Sequence, residues 1–289
     1  MVYTPQNSDR RFTYGPVKLR RALALSKNSI ALKLMKEVDP ENVVSLAHRM
    51  GIESALDPNL SLALGSDEVT LRELSQAYTV FVNKGLLVPV RLVESISDYN
   101  GKLISDFVAG SKSTRIIDEE TAYKMTFFLR GTVEESGGTA RRLLSYGLAY
   151  EGEIGGKTGT SNDYADGWFV GITPGLITGV WVGADDMRIR FTNSNGQGGR
   201  TALPIFGRFM QLVYSDKSTS VSGGKFSIPS GDISSLNCYP TGIYIAPDTT
   251  VLSDSMELLI DSTGQSPDSL QNQNEAVGVD PGEVRIDAP

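Results

Sequence analysis

The sequence predicts a mixed α/β fold of the α+β type, and three observations carry that expectation. Helical periodicity with proper end signals dominates the first 135 residues. Three strand-like segments follow in succession between 153 and 183, and one more helical stretch, about Thr201 to Tyr214, closes the ordered pattern. Hydrophobic residues make up 40% of the 289 and charged residues 21%, the balance of a chain with a sizeable core.

Residues 16–36 read as two apolar helical stretches that meet at a polar joint, Ser26-Lys27-Asn28. Asp39 as N-cap, Pro40 at the first helical position and Gly51 beyond the end bracket a short helix from Glu41 to Met50. His48 lies at the border of its apolar face and is expected at the surface. Thr70 and Glu73 form a capping-box pattern ahead of a helix that closes at Gly85, with Leu71, Leu74, Ala77, Tyr78 and Phe81 as its core stripe. Pro89 to Asp98 alternates as a strand, Tyr99-Asn100-Gly101 turns, and Lys102 to Phe107 returns. A helix is expected from Asp118 to about Glu135, with a further helical turn within Thr139 to Ser145. The three strands are Glu153–Ser161, Gly167–Thr173 and Leu176–Gly183, the last two joined by Thr173-Pro174-Gly175.

Rare residues narrow the chemistry. With one His, His48, a Ser-His-Asp triad or a multi-histidine metal site is hard to build, and the one Cys, Cys238, has no intrachain partner. A net charge of −7 without a Lys/Arg cluster argues against nucleic acid as a partner. The longest apolar runs, such as Gly167 to Trp181, carry Gly and Pro and fall short of the roughly 20 residues that span a bilayer. Met1 to Gln6 contain no basic and then apolar export signal.

The segment richest in chemistry is Gly155-Gly156-Lys157-Thr158-Gly159-Thr160-Ser161. Strand interiors avoid Gly, so Gly155, Gly156 and Gly159 imply a backbone that something else approaches closely, with Lys157 adding a cation. Read alone, Lys-Thr-Gly also suits an edge strand whose Lys deters aggregation.

Ordered blocks elsewhere extend the pattern: Tyr14-Gly15-Pro16-Val17, Leu19-Arg20, Ser26-Lys27-Asn28, Leu60 to Gly65, Glu68-Val69-Thr70, Gly156 to Asp163, Trp168 to Gly171, Gly179 to Gly183, Asp185-Asp186, Gly198-Gly199 and Ala202 to Ile205. On these blocks the first 210 residues resemble the transpeptidase domain of class A penicillin-binding proteins. The resemblance implies an antiparallel sheet covered by helices, shared with serine β-lactamases, with Ser-x-Asn on an inter-helix loop across a cleft from the Lys-Thr-Gly strand. It implies DD-transpeptidation through a serine acyl-enzyme, stem peptides ending in D-Ala-D-Ala and β-lactams as partners, an extracytoplasmic location, and no metal or organic cofactor.

By the same resemblance Ser26 relays a proton to the leaving group, and the Asn28 amide holds the substrate backbone and orients a catalytic lysine. Lys157 supplies positive potential for the substrate carboxylate, Thr158 and Thr160 bind around it beside Gly159, and the Thr160 N–H forms half of the oxyanion hole. A lysine-assisted serine chemistry needs no His, which suits this composition.

The family's nucleophile motif, Ser-x-x-Lys ahead of Ser-x-Asn, has no counterpart in that position. The single match, Ser222-Gly223-Gly224-Lys225, lies after the Lys-Thr-Gly strand in a Gly/Ser-rich stretch, and about one is expected by chance. The expectation is therefore a C-terminal part of a longer, membrane-anchored protein, truncated at its front and catalytically silent alone. Gly167, where the family has Ala, is expected to loosen its strand, and Lys27 fills a variable position.

Residues 1–214 are taken as the partial transpeptidase domain, 215–261 as an extension with a short strand around Gly242 to Ile245, and 262–289 as a disordered acidic tail. The rival readings are a non-catalytic β-lactam or stem-peptide binding module and a serine β-lactamase relative. The Tyr-Gly-Pro-Val and Ala-Leu-Pro-Ile blocks, and the lack of an obvious deacylating Glu segment, count against the latter.

Overall fold

The computed structural model describes Asn7 and residues 15–108, 112–231, 233 and 236. All of these except Gly15 and Pro16 belong to one compact unit. The strand island at Gly242 to Ile245, the 262–289 tail and Cys238 lie outside the described residues.

Helices α1 (Leu19–Ala24), α2 (Asn28–Val38), α3 (Pro40–Arg49) and α4 (Leu71–Val82) come first. Short strands β1 (Leu86–Leu87), β2 (Ser95–Ser97), β3 (Leu103–Asp106) and β4 (Thr114–Arg115) lead to the long α5 (Glu119–Glu134), and a 3-10 turn at Arg141–Tyr146 leads to α6 (Leu148–Glu151). The central sheet is then built from β5 (Gly155–Thr160), β6 (Gly167–Ile172) and β7 (Ile177–Val182), antiparallel in the order β5-β6-β7, and α7 (Ala202–Ser215) follows.

The two-residue period of a strand sends alternate residues of β6 into different layers. Phe169 meets Phe206 of α7 edge-on at 5.0 Å, and a side chain at Gly171 would collide with the Phe206 ring, so the small residue is what lets that ring approach the sheet. Ile172 points the other way, into a cluster with Leu129 of α5 and Phe226. Across the sheet, Gly179 of β7 receives Leu71 and Ser75 of α4. The sheet is thus sandwiched between α7 on one face and α4 with α5 on the other, the three-layer solution for an apolar sheet whose two faces both need cover.

Most expected elements are present within a residue or two, and the departures have physical reasons. The expected strand Pro89–Asp98 shrinks to Ser95–Ser97, because the Val90 N–H is taken at 2.9 Å by the side-chain oxygen of Gln76 instead of a neighbouring strand. Asn28 belongs to the first turn of α2 and not to the joint. Lys27, expected at an indifferent position, is buried. On α4 the fully buried positions are Glu73, Gln76, Ala77 and Val80, while Leu71, Leu74, Tyr78 and Phe81 are only half-buried. His48 is exposed, as expected, its Nδ1 2.7 Å from the Ile52 carbonyl oxygen.

Glu73 explains the shift on α4. Its capping box with Thr70 is formed, but the carboxylate also accepts from the backbone N–H groups of Glu53 and Ser54 and from the Ser54 hydroxyl, each at 2.8 Å. A cap has become the tie that holds the 52–54 segment to α4, and its residue is 3% exposed. These bonds, led by the one from the Thr70 hydroxyl, lower the Glu73 carboxyl from 4.5 to about 2.

Since the folded value lies below the unfolded one, Glu73 contributes its full stability above pH 4.5 and loses it as pH falls toward 2. Glu73→Ala, which strands several buried donors, is expected to cost about 3 kcal/mol in urea unfolding at pH 7. Glu73→Gln should show a shallower stability loss than the parent between pH 5 and 2. Equal acid slopes for parent and Glu73→Gln would contradict this account.

Candidate active site

The turn after α1 presents Ser26. Its N–H donates to the Leu23 carbonyl and the Lys27 N–H to the Ala22 carbonyl, each at 3.0 Å, which is the bond pair of a Schellman motif closing α1. That motif needs a left-handed residue just past the helix, usually Gly, and Ser26 occupies it with φ 52°. The local backbone therefore fixes where the Ser26 hydroxyl points, at the expense of a strained conformation for a residue with a Cβ.

Alternation along β5 sorts its functional side chains. Lys157 pairs with Val170, whose face is covered by α4 and α5, whereas Thr158 and Thr160 pair with Phe169 and Gly167 on the α7 face. Lys157 Nζ donates to Ser26 Oγ at 3.0 Å and to the Thr158 carbonyl at 2.5 Å, a contact between residues 131 apart in sequence. On the other face Thr160 Oγ1 accepts from the Gly198 N–H at 3.1 Å, and Gly199 lies between the Thr158 methyl and the Thr139 carbonyl. Gly159 backs onto Trp168. Ser26 and Lys157 are thus brought together, the two threonines flank them from the next layer, and Asn28 opens α2 two residues beyond Ser26.

Two glycines let this happen. A side chain at Gly155 would run into the α5 backbone at Leu129 and Arg130, and one at Gly156 into Val170 and Phe169. The close approach implied by the Gly-rich strand is thus made by the protein's own helix. Thr132, inside α5, seals it: its buried hydroxyl shares its one proton between the Leu129 carbonyl of its own helix at 2.9 Å and the Gly156 carbonyl at 3.0 Å. Gly167 corrects the expectation of a loosened strand: the space a Cβ would need is already filled by Thr201 Oγ1.

Burial of the ammonium lowers Lys157 from 10.5 to about 8. The group therefore remains mostly charged at neutral pH. β5 stands at one end of the sheet order, so one flank of its backbone is engaged by no other strand among the described residues. Ser222 to Lys225 lies in an irregular segment that packs beside Glu151 to Glu153, where the Gly224 carbonyl accepts from the Glu153 N–H at 2.7 Å; no helix holds it.

Three structural partners of the site escaped the sequence reading. Thr132 sits mid-helix, where a lone Thr signals nothing. Arg20 lay inside a matched block without a role. Asn7, buried, accepts from the Ser29 N–H at 3.1 Å and from the Ser29 hydroxyl, satisfying the start of α2 from a distance no local pattern could reveal.

Comparison with known proteins shows the family to which this fold belongs. Residues 2–211 match the penicillin binding protein transpeptidase domain model, and the chain belongs to that family. Penicillin-binding protein 1A of Neisseria gonorrhoeae is 33% identical over 270 residues, covering 92% of this chain and 32% of the relative. Penicillin-binding protein 1A of Aquifex aeolicus is 34% identical over 247 residues, again covering 32% of the relative. The chain therefore spans about a third of the length of the curated relatives it matches. Among solved structures, penicillin-binding protein 1A from Haemophilus influenzae superimposes with a TM-score of 0.66 at 28% identity, covering 74% of this chain and 37% of that one. The PonA1 protein from Mycobacterium tuberculosis in complex with penicillin V shares the fold, with a TM-score of 0.63 at 21% identity, covering 84% and 65%. Among the described residues no helix is long and apolar enough to cross a membrane.

The left-handed Ser26 yields a direct test. Glycine relieves the strain that alanine keeps, so Ser26→Gly is expected to be more stable than Ser26→Ala by about 1 kcal/mol in denaturant unfolding. Equal stability of the two variants would show that the α1 cap does not hold Ser26 in that conformation.

Proposed function

We propose that this chain supplies the carboxylate clamp and the proton-relay wall of a peptidoglycan DD-transpeptidase, and that the acylated serine comes from sequence outside these 289 residues. The observation that carries the reading is the Lys157 to Ser26 contact, a cation bonded to a hydroxyl across the cleft.

The chemistry follows from the donor inventory. Ser26 Oγ accepts from the ammonium, which leaves its own O–H to donate. When the amide of a D-Ala-D-Ala substrate is cleaved, that hydroxyl passes its proton to the departing amine and takes up in turn the proton lost by the attacking serine, while the nearby ammonium stabilises the charge that develops. The same Lys157 charge attracts the terminal carboxylate of the substrate, with the Thr158 and Thr160 hydroxyls binding around it and Gly159 leaving room along the strand. The unengaged flank of β5 lets the Thr160 N–H serve as one donor of an oxyanion hole. Asn28, across the cleft, holds the substrate backbone and orients the lysine of the acylating segment. Stem peptides and β-lactams present the same carboxylate next to a reactive amide, so one clamp serves both. Peptidoglycan as substrate places the work outside the cytoplasmic membrane, with anchoring supplied by sequence beyond this chain.

Incubation with a fluorescent penicillin tests the assignment. The chain is expected to leave no label on a denaturing gel, and to bind the β-lactam reversibly in a polarisation assay, with Lys157→Ala weakening binding at least tenfold. A covalent band would overturn the location of the nucleophile, and binding indifferent to Lys157→Ala would overturn the clamp.

A further inference from the structure

A line of alternating charges crosses the outer side of α5. Arg21 pairs with Glu135, Arg20 with both Glu135 and Glu134, and Arg130 with both Glu134 and Glu153. It begins on α1, crosses α5 and ends two residues before β5. The other ion pairs among the described residues are more exposed, such as Arg188 with Asp186, where the Arg side chain is 90% exposed; the Arg20 side chain is 17% exposed. Exposed pairs contribute little, whereas partly buried, bidentate ones fix geometry.

Arg20 stands at the centre of this line. Its Nη1 donates to Glu135 at 2.7 Å, Nη2 to Glu134, and Nε to the Phe127 carbonyl at 3.0 Å, while its guanidinium lies 4.3 Å from the centre of the Phe127 ring. Its stem rests on Gly131, where a Cβ would press on Arg20 Cγ at 3.0 Å. Backbone, carboxylate and aromatic contacts thus converge on one planar group, a set that Lys cannot reproduce. What Arg20 fixes is the distance between the two walls: α1 ends in Ser26, and α5 is sealed to β5 through Gly155 and the Thr132 bond to Gly156.

We propose that Arg20 is a positioning residue which, by clamping α1 to α5, holds the Ser26 hydroxyl on the Lys157 ammonium. It touches no substrate and acts through Ser26. The proposal rests on the reading that Ser26 and Lys157 form the working pair. Four residues of helix separate Arg20 from the end of α1, and about 1.5 Å of rise per residue makes that a rigid lever.

The test is a double-mutant cycle read at Lys157 by NMR, on the whole chain labelled with 13C-lysine, with Lys157→Arg identifying the resonance. In the parent, Ser26→Ala removes an acceptor from the ammonium and is expected to lower the Lys157 midpoint by on the order of one pH unit. In an Arg20→Met background the Ser26→Ala effect should vanish, and the midpoint itself should rise toward 10.5 as water enters. Glu135→Gln, which keeps Arg20 but weakens the clamp, should reduce the Ser26→Ala effect. If Arg20→Met does not fold, Arg20→Lys takes its place under the same criterion. A Ser26→Ala shift as large with Arg20 replaced as in the parent overturns the proposal, whatever happens to the melting temperature, because a merely structural arginine would change only the latter. A parent midpoint indifferent to Ser26→Ala overturns the Ser26–Lys157 pairing itself.

Discussion

Lys157 can touch Ser26 only because α5 lies flush against β5. A strand and a helix in adjacent layers normally stand about 10 Å apart, with side chains filling the gap. Here Gly155 removes the side chain at the crossing, so the α5 backbone itself forms the contact, and the Thr132 hydroxyl replaces a missing strand neighbour by bonding the Gly156 carbonyl. Everything that faces Lys157 inherits its distance from that contact, since α1 is fastened to α5 and not to the sheet. The site is therefore a stack of three elements from distant parts of the chain, each held by its neighbour.

The electrostatics follow from the same packing. Lys157 is lowered by burial, and among the described residues its acceptors are two neutral oxygens, Ser26 Oγ and the Thr158 carbonyl. A carboxylate partner would have strengthened the fold and cancelled the positive potential. A cation that meets no counter-ion among the described residues, yet is not so buried that it becomes neutral, is suited to receive the carboxylate of a ligand. The acidic residues of this region are instead spent on Arg20, Arg21 and Arg130, away from the cleft. One arrangement thus satisfies both the stability of α5 and the vacancy in charge beside β5.

How much of this was legible follows from which interactions are local. Helix ends could be read, because Asp39, Thr70 and Asp118 all cap through residues two or three positions away. The strands of the central sheet could be read for the same reason, their period being visible within six residues. Glu73 was legible as a cap but not as the tie to Ser54, and Val90 as a strand residue but not as a partner of Gln76, because those contacts join residues 19 and 14 positions apart. At the site, Ser26, Asn28, Lys157 and the threonines were named through family motifs, whereas Thr132, Asn7 and Arg20 act across 22 to 115 positions and carry no local signature. The glycines of β5 announced that something comes close; only the fold showed that it was a helix of the same chain.

The left-handed Ser26 shows how such a site trades stability for geometry. A helix end of the Schellman type favours Gly because any Cβ strains the αL position, by an amount on the order of 1 kcal/mol. Placing Ser there keeps the sharp reversal of the chain between α1 and α2 and adds a hydroxyl at its apex, where neither helix can shield it from β5. A serine one residue earlier would sit at the α1 cap, and one later would replace Lys27, which is buried. Only the apex of the turn reaches the ammonium, so the strain at Ser26 is the direct consequence of needing an oxygen at that point in space.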